Sequence, residues 1–287
     1  MKEGKVGWLF LLPCLLFIIG LGIFPTFYTG FLAFSKADLS GIKGFAGLVN
    51  FSSLLSLSDF WKSVGVTLTL TALSVIGATI IGLVIALIAN QSFRGKAILR
   101  TLMVVPWAMP LVISALIWAL MYDYSYGFLN SALTLTGIIK EPIFFLSPEW
   151  ALVSVSVTCM WVLSSFTSIF VLSSLQTVEQ VYYEAAEIDG AGIIRKFRHI
   201  TLPLIQPVLS ITILFNSMVI LTMFDIIYVM TRGGPGTATL TLSMQVFRVF
   251  FRYYDFGQGA AAAVALAGLT MIVAMPYMFF FYRRVYR

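Results

Sequence analysis

Residue types that carry chemistry are scarce in this chain. Two cysteines, Cys14 and Cys159, and one histidine, His199, stand far apart, so no spacing typical of a zinc site or a loop disulfide occurs. The nearest approach to a phosphate-binding loop, residues 94–97, lacks the first glycine and the hydroxyl residue, and neither G-x-S-x-G nor H-E-x-x-H is present. The sequence therefore predicts no catalytic residue, no metal site and no cofactor bound by this chain.

One charged stretch, residues 177–203, has an ordered pattern of its own. Thr177 and Gln180 have the spacing of a capping box, and Gly190 can end the helix that follows in a left-handed turn. A second short helix, at about residues 193–199, would carry basic side chains. An acidic helix followed by a basic one offers oriented charge to a partner protein, whereas the simpler alternative is a solvated hairpin.

The elements that must position this stretch are membrane spans. The chain of 287 residues is 60% hydrophobic and 10% charged, with a mean hydropathy of +0.96, whereas soluble domains carry about 25% charged residues. Six windows without Asp, Glu, Lys or Arg each reach the roughly 20 residues that a membrane helix needs. We predict an all-α polytopic membrane protein with one permease domain over residues 1–287. Its spans are expected at about residues 8–34, 64–90, 98–121, 150–175, 203–229 and 259–282.

Three other architectures fit these windows less well. A soluble all-helical core would keep a polar face on each helix, and a β-barrel would show short alternating strands. The first window could be a signal peptide because Lys2 and Lys5 precede it, but its apolar stretch is too long and lacks a small-residue cleavage site. We expect it to remain in the mature chain.

The basic residues are distributed unevenly between the predicted loops. Eleven of the 18 lie in the two tails and in the loops after the second and fourth spans, and the other seven lie in longer loops. Since cytoplasmic loops carry the excess of Lys and Arg, both termini are predicted to be cytoplasmic. The net charge of +6 reflects this bias and contact with anionic membrane lipid, and no nucleic-acid-binding motif accompanies it.

The charged stretch resembles the EAA loop of binding-protein-dependent ABC importers. The resemblance rests on Glu184-Ala185-Ala186, Gly190 and Ile200-x-Leu202-Pro203 at fixed distances. It implies a type I ABC importer fold, in which this loop is a cytoplasmic coupling helix that docks into an ATPase subunit. The implied coupling residues are Glu184, Ala185, Ala186, Asp189, Gly190 and Ala191. Small residues there permit close packing against a partner.

Four further segments resemble the sugar-importing branch called carbohydrate uptake family one. They are residues 45–51, 100–107, 126–130 and 231–235, and the last of these, Thr-Arg-Gly-Gly-Pro, is similar to the first-permease type of the maltose transporter. The resemblance implies a permease that translocates a sugar or related polyol. It implies as partners a second homologous permease, two ATPase subunits that bind ATP and Mg, and an extracytoplasmic solute-binding protein. The location implied is the inner membrane of a bacterial or archaeal cell.

The position of a substrate site can be placed only by depth and by resemblance. Asn216 lies 13 residues beyond Pro203, which in a continuous helix is about 20 Å into the fifth span and near the bilayer midplane. Asn216 and Met223 lie where the family contacts sugar on this helix. Asp225 would lie about 33 Å along the same helix, near the outer surface, where a structural or gate-lining role is expected in preference to direct sugar binding.

Aromatic residues on the fourth span are the other candidates. Trp161 matches a sugar-facing Trp of the maltose type, and Phe166 stands where that type has Tyr. Both could instead serve helix packing or lipid contact, since aromatic residues make up 15% of the chain. Ser165 stands where the family usually has Pro, so the resemblance does not predict the family's local helix kink at this position.

Two other functions stay open at this point. An ion-coupled secondary transporter should place acidic residues or unwound helices near the midplane, and the predicted spans carry no acid there. An intramembrane enzyme or assembly factor would need a nucleophile with its base. The EAA-like loop favours the importer permease over both.

Overall fold

The computed structural model describes residues 2–285, without the side chains of residues 2–9, 278 and 280–285. Within this part of the chain there are fifteen α-helices, two π-helical turns (Ile18–Ile23 and Phe197–Thr201) and one two-stranded sheet. The elements are α1 (Lys2–Phe17), α2 (Phe24–Ala33), β1 (Ser35–Asp38), β2 (Gly41–Phe45), α3 (Val49–Ser56), α4 (Ser58–Asn90), α5 (Lys96–Leu102), α6 (Val105–Ala108), α7 (Leu111–Met121), α8 (Phe128–Leu135), α9 (Ala151–Leu175), α10 (Gln180–Ile188), α11 (Ile193–Lys196), α12 (Leu202–Leu221), α13 (Asp225–Met230), α14 (Leu242–Phe251) and α15 (Phe256–Val285).

Five helical segments of the described chain are long and apolar enough to cross a membrane, or six if one bent pair counts as a span. The five are Phe10–Ala33, Ser58–Asn90, Ala151–Leu175, Ile193–Leu221 and Phe256–Tyr277. The prediction of an all-α polytopic membrane protein is confirmed. The prediction that both termini are cytoplasmic stays a prediction, and Arg287 lies outside the described residues.

The third predicted span, 98–121, is not one straight helix. Lys96–Ala108 and Leu111–Met121 meet at a bend of 102°. Met109 is extended (ψ 140°) because the ring of Pro110 disfavours helical geometry in the residue before it. Pro110 then precedes the first turn of α7, whose earliest N–H groups need no intrahelical partner. The prediction of a continuous helix was wrong at this point.

The fifth predicted span, 203–229, was also wrong at both ends. Its helix begins earlier, because α11, a π-helical turn and α12 follow one another without a break from Ile193 to Leu221. It ends at Leu221, and α13 starts separately at Asp225. Met223 therefore lies in an interruption, and the depth assigned to Asp225 from a continuous helix does not hold.

The chain forms two compact units, Met1–Trp61 with Gln245–Gly268 and Lys62–Met244 with Leu269–Arg287. The predicted single domain over residues 1–287 stays a prediction. In the first unit, β1 and β2 form an antiparallel hairpin with Ser35 opposite Phe45. The Asn50 amide donates to the carbonyls of Ala33 and Ser35, 2.9 Å each, which fixes the hairpin to the end of α2.

Asp38 controls the turn of this hairpin. Its carboxylate accepts hydrogen bonds from Lys43 and from both the backbone N–H (2.9 Å) and the hydroxyl of Ser40. The Lys43 ammonium is the main reason that the pKa of Asp38 falls from 3.8 to about 2, and the Ser40 bonds add to it. The exposed hairpin is thus held by its charged form.

The second unit is built on α9, which packs between α4 and α12. Its core includes side chains from α4, α9, α12 and α13: Leu70, Ala78, Val155, Cys159, Leu163, Ile220 and Ile226. Gly82 brings α4 very close to α9, since a β-carbon there would lie 2.6 Å from Thr167 Cβ and 2.9 Å from the Ser164 carbonyl oxygen. Small residues at helix contacts allow this approach in membrane proteins.

Candidate functional site

The predicted coupling stretch folds as a helix with a defined stop. α10 begins after Glu179, which is extended (φ −66°, ψ 136°) and makes no side-chain cap. The capping box predicted at Thr177 is wrong, because its hydroxyl instead donates to the Ser174 carbonyl at 2.8 Å, at the end of α9. The start of α10 is therefore set by the extended backbone at Glu179.

The end of α10 confirms the left-handed turn predicted at Gly190, whose φ is +73°. Its N–H donates to the Glu187 carbonyl at 3.0 Å, and the N–H of Ala191 donates to Ala186 at 2.8 Å. This pair of bonds is a Schellman motif, which satisfies carbonyls that the last helical turn leaves open. Glycine is favoured here because other L-residues are strained at positive φ.

The basic helix predicted after the turn is not a separate stub, because α11 continues into α12. Two contacts fasten α10 to this longer helix. The Lys196 ammonium lies 2.6 Å from the Glu187 carboxylate, and the hydroxyls of Tyr183 and Thr201 are 3.0 Å apart. His199, the one histidine of the chain, places Nδ1 3.0 Å from the Arg195 carbonyl within the same helix.

Three isoleucines at the end of α10 and at the start of the helix that follows are strongly exposed. Ile188, Ile193 and Ile194 are 88%, 83% and 81% exposed. Glu184 and Ala185 are exposed on α10 as well, whereas Ala186 is half-buried. We call Ile188, Ile193 and Ile194 the isoleucine patch. Exposed apolar patches mark surfaces that contact other proteins or the membrane. The sequence analysis did not predict this exposure, although the three isoleucines stand out in an otherwise charged loop.

The predicted sugar contacts lie in separate environments. Trp161 is half-buried, meets Trp118 edge to face at 6.0 Å, and lines a cavity of about 450 Å³ with Pro106 and Ser165 among others. Phe166 is not among the residues that line this cavity. Its ring stacks on Phe215 at 4.3 Å instead.

The Phe166 contacts belong to an aromatic cluster that the sequence did not predict. Trp107, next to the bend between α6 and α7, lies 4.9 Å from Phe166 and 6.1 Å from Phe215. The ring centre of Phe170 lies 4.4 Å from that of Phe166. The cluster joins α6, α9 and α12, so long-range packing brings together residues from three distant segments.

Asn216 is completely buried between α12 and α9. Its Nδ2 donates to the Thr167 hydroxyl at 2.9 Å, and its Oδ1 has no hydrogen-bond partner among the described residues. Met223 is also buried, and its carbonyl accepts a hydrogen bond of 2.6 Å from Ser243. These two residues face the protein interior in this conformation.

Ser165 and Asp225 have contacts or positions that a structural role explains. Ser165 donates a hydrogen bond to the Met103 carbonyl, and α9 continues through this position without a break. Asp225 is exposed in the first turn of α13, where a negative charge is favoured by the helix dipole. Neither observation requires contact with a substrate.

Comparison with known proteins decides the class of this molecule. Residues 78–287 match the family described as the binding-protein-dependent transport system inner membrane component. The chain belongs to this family. Membership confirms the predicted importer permease and gives no support to the ion-coupled secondary transporter.

Two curated relatives of this inner membrane component are similar over most of its length. The trehalose/maltose transport system permease protein MalF of Thermococcus litoralis is 37% identical over 280 residues, covering 96% of this chain and 94% of the relative. The sulfoquinovosyl glycerol transport system permease protein SmoG of Agrobacterium fabrum is 39% identical over 252 residues, covering 88% and 81%.

The fold has also been seen in a solved transporter. A chain of a bacterial ABC transporter involved in the import of the acidic polysaccharide alginate matches with a TM-score of 0.86 at 22% identity, covering 98% of this chain and 96% of that one. The predicted type I ABC importer fold is confirmed by this match.

Proposed function

We propose that this chain is one of two permease subunits in an ATP-driven importer that moves a sugar or related polyol into the cell. The relatives named for trehalose/maltose and for sulfoquinovosyl glycerol, both more than a third identical, support a sugar substrate. The family description supports delivery by an extracytoplasmic binding protein. The chain itself performs no reaction in this scheme.

The observation that carries the proposal is the geometry of α10 and the turn after it. A helix fixed at Gly190 and fastened to α12 presents Glu184, Ala185 and the isoleucine patch outward. Such a surface suits docking into a cleft of an ATPase subunit, with Ala185 and Ala186 permitting close approach and Asp189 adding charge at the helix end. ATP and Mg would be bound by the two ATPase subunits, and the second permease would complete the path.

For the substrate path, the unpaired Oδ1 of Asn216 is the main support. A buried amide oxygen without a donor is unusual, and a sugar hydroxyl could supply one when α9 and α12 separate. Trp161 and Phe166 would then offer aromatic faces to the ring, with Met223 beside them. Alternating access, in which one helix bundle rocks against another, would provide such a separation.

The location proposed is the inner membrane, with several spans and both termini in the cytoplasm. This arrangement puts α10 on the same side as ATP, as coupling requires. Cysteine labels at residues 97 and 287 should then react only from the cytoplasm, and a label at residue 135 only from outside. One label on the opposite side would reject the orientation.

Reconstitution tests the proposed function directly. The complex, assembled from the genes expressed beside this one, is placed in proteoliposomes with ATP inside or outside, and uptake of radiolabelled trehalose, maltose and glycerol is measured. We expect uptake of at least one of them that depends on ATP on the α10 side and on the binding protein. Uptake driven by an ion gradient without ATP would contradict the proposal.

The patch variant Ile188→Glu provides the link between coupling and geometry. A charge within a docked apolar surface should reduce retention of the ATPase and abolish uptake. Ile138→Glu is the matched control, because Ile138 is also well exposed but lies in a loop predicted to be extracytoplasmic. Equal losses in both variants would show that the patch has no specific role.

A further inference from the structure

A pocket in the first unit is used by none of the roles above. Its volume is about 360 Å³, within the range of small-molecule sites. It is lined by the start of α4 with the residue before it and by the α14 region: Leu57, Ser58, Asp59, Gln245, Arg248 and Tyr253. In the predicted orientation, both regions would lie on the extracytoplasmic side.

Gln245 is the residue that points to a ligand. It is 4% exposed, and its Oε1 has no hydrogen-bond partner among the described residues. Buried side-chain amides almost always have hydrogen-bond partners, because a buried group without one loses its hydrogen bonds to water and gains none from the protein. A donor from outside the chain would satisfy Gln245.

Arg248 and Tyr253 line the pocket together with Gln245. The Arg248 guanidinium donates to the Tyr253 hydroxyl at 3.3 Å, and its central carbon lies 6.0 Å from the centre of the Tyr253 ring. A guanidinium has five N–H donors, so this contact orients Arg248 while leaving it able to bind an acceptor. The exposed Tyr253 ring adds an aromatic face.

The mixture of groups selects the class of ligand. A carboxylate could accept from Arg248, but it has no proton to give to Gln245 and would approach Asp59 with like charge. A hydroxyl group both donates and accepts, and the C–H face of a sugar ring packs on an aromatic ring. We propose that this pocket binds a neutral polyhydroxylated molecule, a sugar or polyol, as a second site distinct from Trp161 and Asn216.

Equilibrium binding to the complete complex in lipid nanodiscs, without the binding protein, tests this inference. The probes are radiolabelled trehalose, maltose, glucose and glycerol. Gln245→Leu should weaken binding of the best probe at least tenfold, because a buried hydrogen bond is lost. Gln258→Leu, the same change in the same unit outside the pocket, should leave binding unchanged. Arg248→Gln provides a second pocket variant in case Gln245→Leu disturbs folding.

The outcomes separate this site from the proposed function. Binding that is weakened by both pocket variants and retained in Gln258→Leu supports the inference. Binding lost in Trp161→Ala and normal in Gln245→Leu overturns it and leaves the import proposal standing. Absence of binding by all four probes, or displacement of the bound probe by succinate, also overturns it. Uptake by the proteoliposomes decides the import proposal separately.

Discussion

The turn at Gly190 gives the sharpest test of coupling. Alanine at this position must adopt φ near +73°, which costs an L-residue about 1–2 kcal/mol relative to right-handed geometry. A cost of that size reduces the correctly turned population roughly 5- to 30-fold relative to other loop conformations. Proline is worse, because its ring fixes φ near −65° and it has no N–H to donate to Glu187. Gly190→Ala should therefore impair coupling, and Gly190→Pro should abolish it.

The same loop contains its own controls. Gly192 has φ −70° and ψ 171°, a conformation open to any L-residue, and a β-carbon there would meet nothing within 4 Å. Gly192→Ala should be close to neutral. Gly190→Asn should restore most of the function lost in Gly190→Ala, because Asn tolerates left-handed geometry better than Ala. The expected order of activity is wild type, Asn, Ala and then Pro.

The assay is ATP hydrolysis by the reconstituted complex, stimulated by the sugar-loaded binding protein. ATPase retention on the tagged permease is measured in parallel, and the amount of permease in the membrane serves as the control for insertion. The reasoning is refuted if Gly190→Ala and Gly192→Ala behave alike, or if Gly190→Pro retains normal stimulation and a normal amount of ATPase.

Three further predictions concern packing, substrate and pH. Gly82→Ala should lower the melting temperature of the purified protein, because overpacking costs about 1–3 kcal/mol and the higher helix propensity of alanine offsets only part of that cost. Gly65→Ala on the same helix should not lower it, because a β-carbon there meets nothing within 4 Å; equal melting temperatures of the two variants would contradict this. Asn216→Ala should reduce sugar uptake about tenfold or more while ATPase retention stays normal. Thr167→Val removes only the hydroxyl that accepts the Asn216 hydrogen bond and should reduce uptake less; equal losses would show that Asn216 serves packing alone. Hydrogen exchange should show the β1–β2 hairpin stable above pH 3.8 and less stable as the pH falls toward about 2. The reason is that the lowered pKa of Asp38 means that its charged form stabilises the hairpin, so Asp38→Asn should remove this pH dependence.

The sequence predicted the spans best where the cost of burying charge decides the structure. The fourth span, predicted at 150–175, coincides with Ala151–Leu175 to within one residue. Helix breaks were harder to predict. Proline interrupts the chain at Pro110, yet α12 and α15 continue through Pro207 and Pro276. Neighbouring helices can satisfy the freed backbone groups, so proline alone does not mark a break.

The interruption at residues 222–224 has no local signal. Its sequence, Thr-Met-Phe, contains neither proline nor glycine, and the break accompanies the packing of α13 against α7. In the coupling stretch, the left-handed turn at Gly190 could be predicted because glycine adopts positive φ more easily than any other residue. The contact between Glu187 and Lys196 could not be predicted in the same way, because it depends on the angle at which α10 returns to the helix.

The uninterrupted run from Ile193 to Leu221 gives the molecule a mechanical lever. Its 29 residues, at about 1.5 Å each, make a rod of roughly 43 Å. One end is held to α10 by the contacts of Lys196 with Glu187 and of Thr201 with Tyr183, and Asn216 lies near the other end. A tilt of about 5° driven at the loop would swing the far end by roughly 4 Å, comparable to helix displacements in switching proteins. A small displacement at α10 would thus become a larger displacement near Asn216.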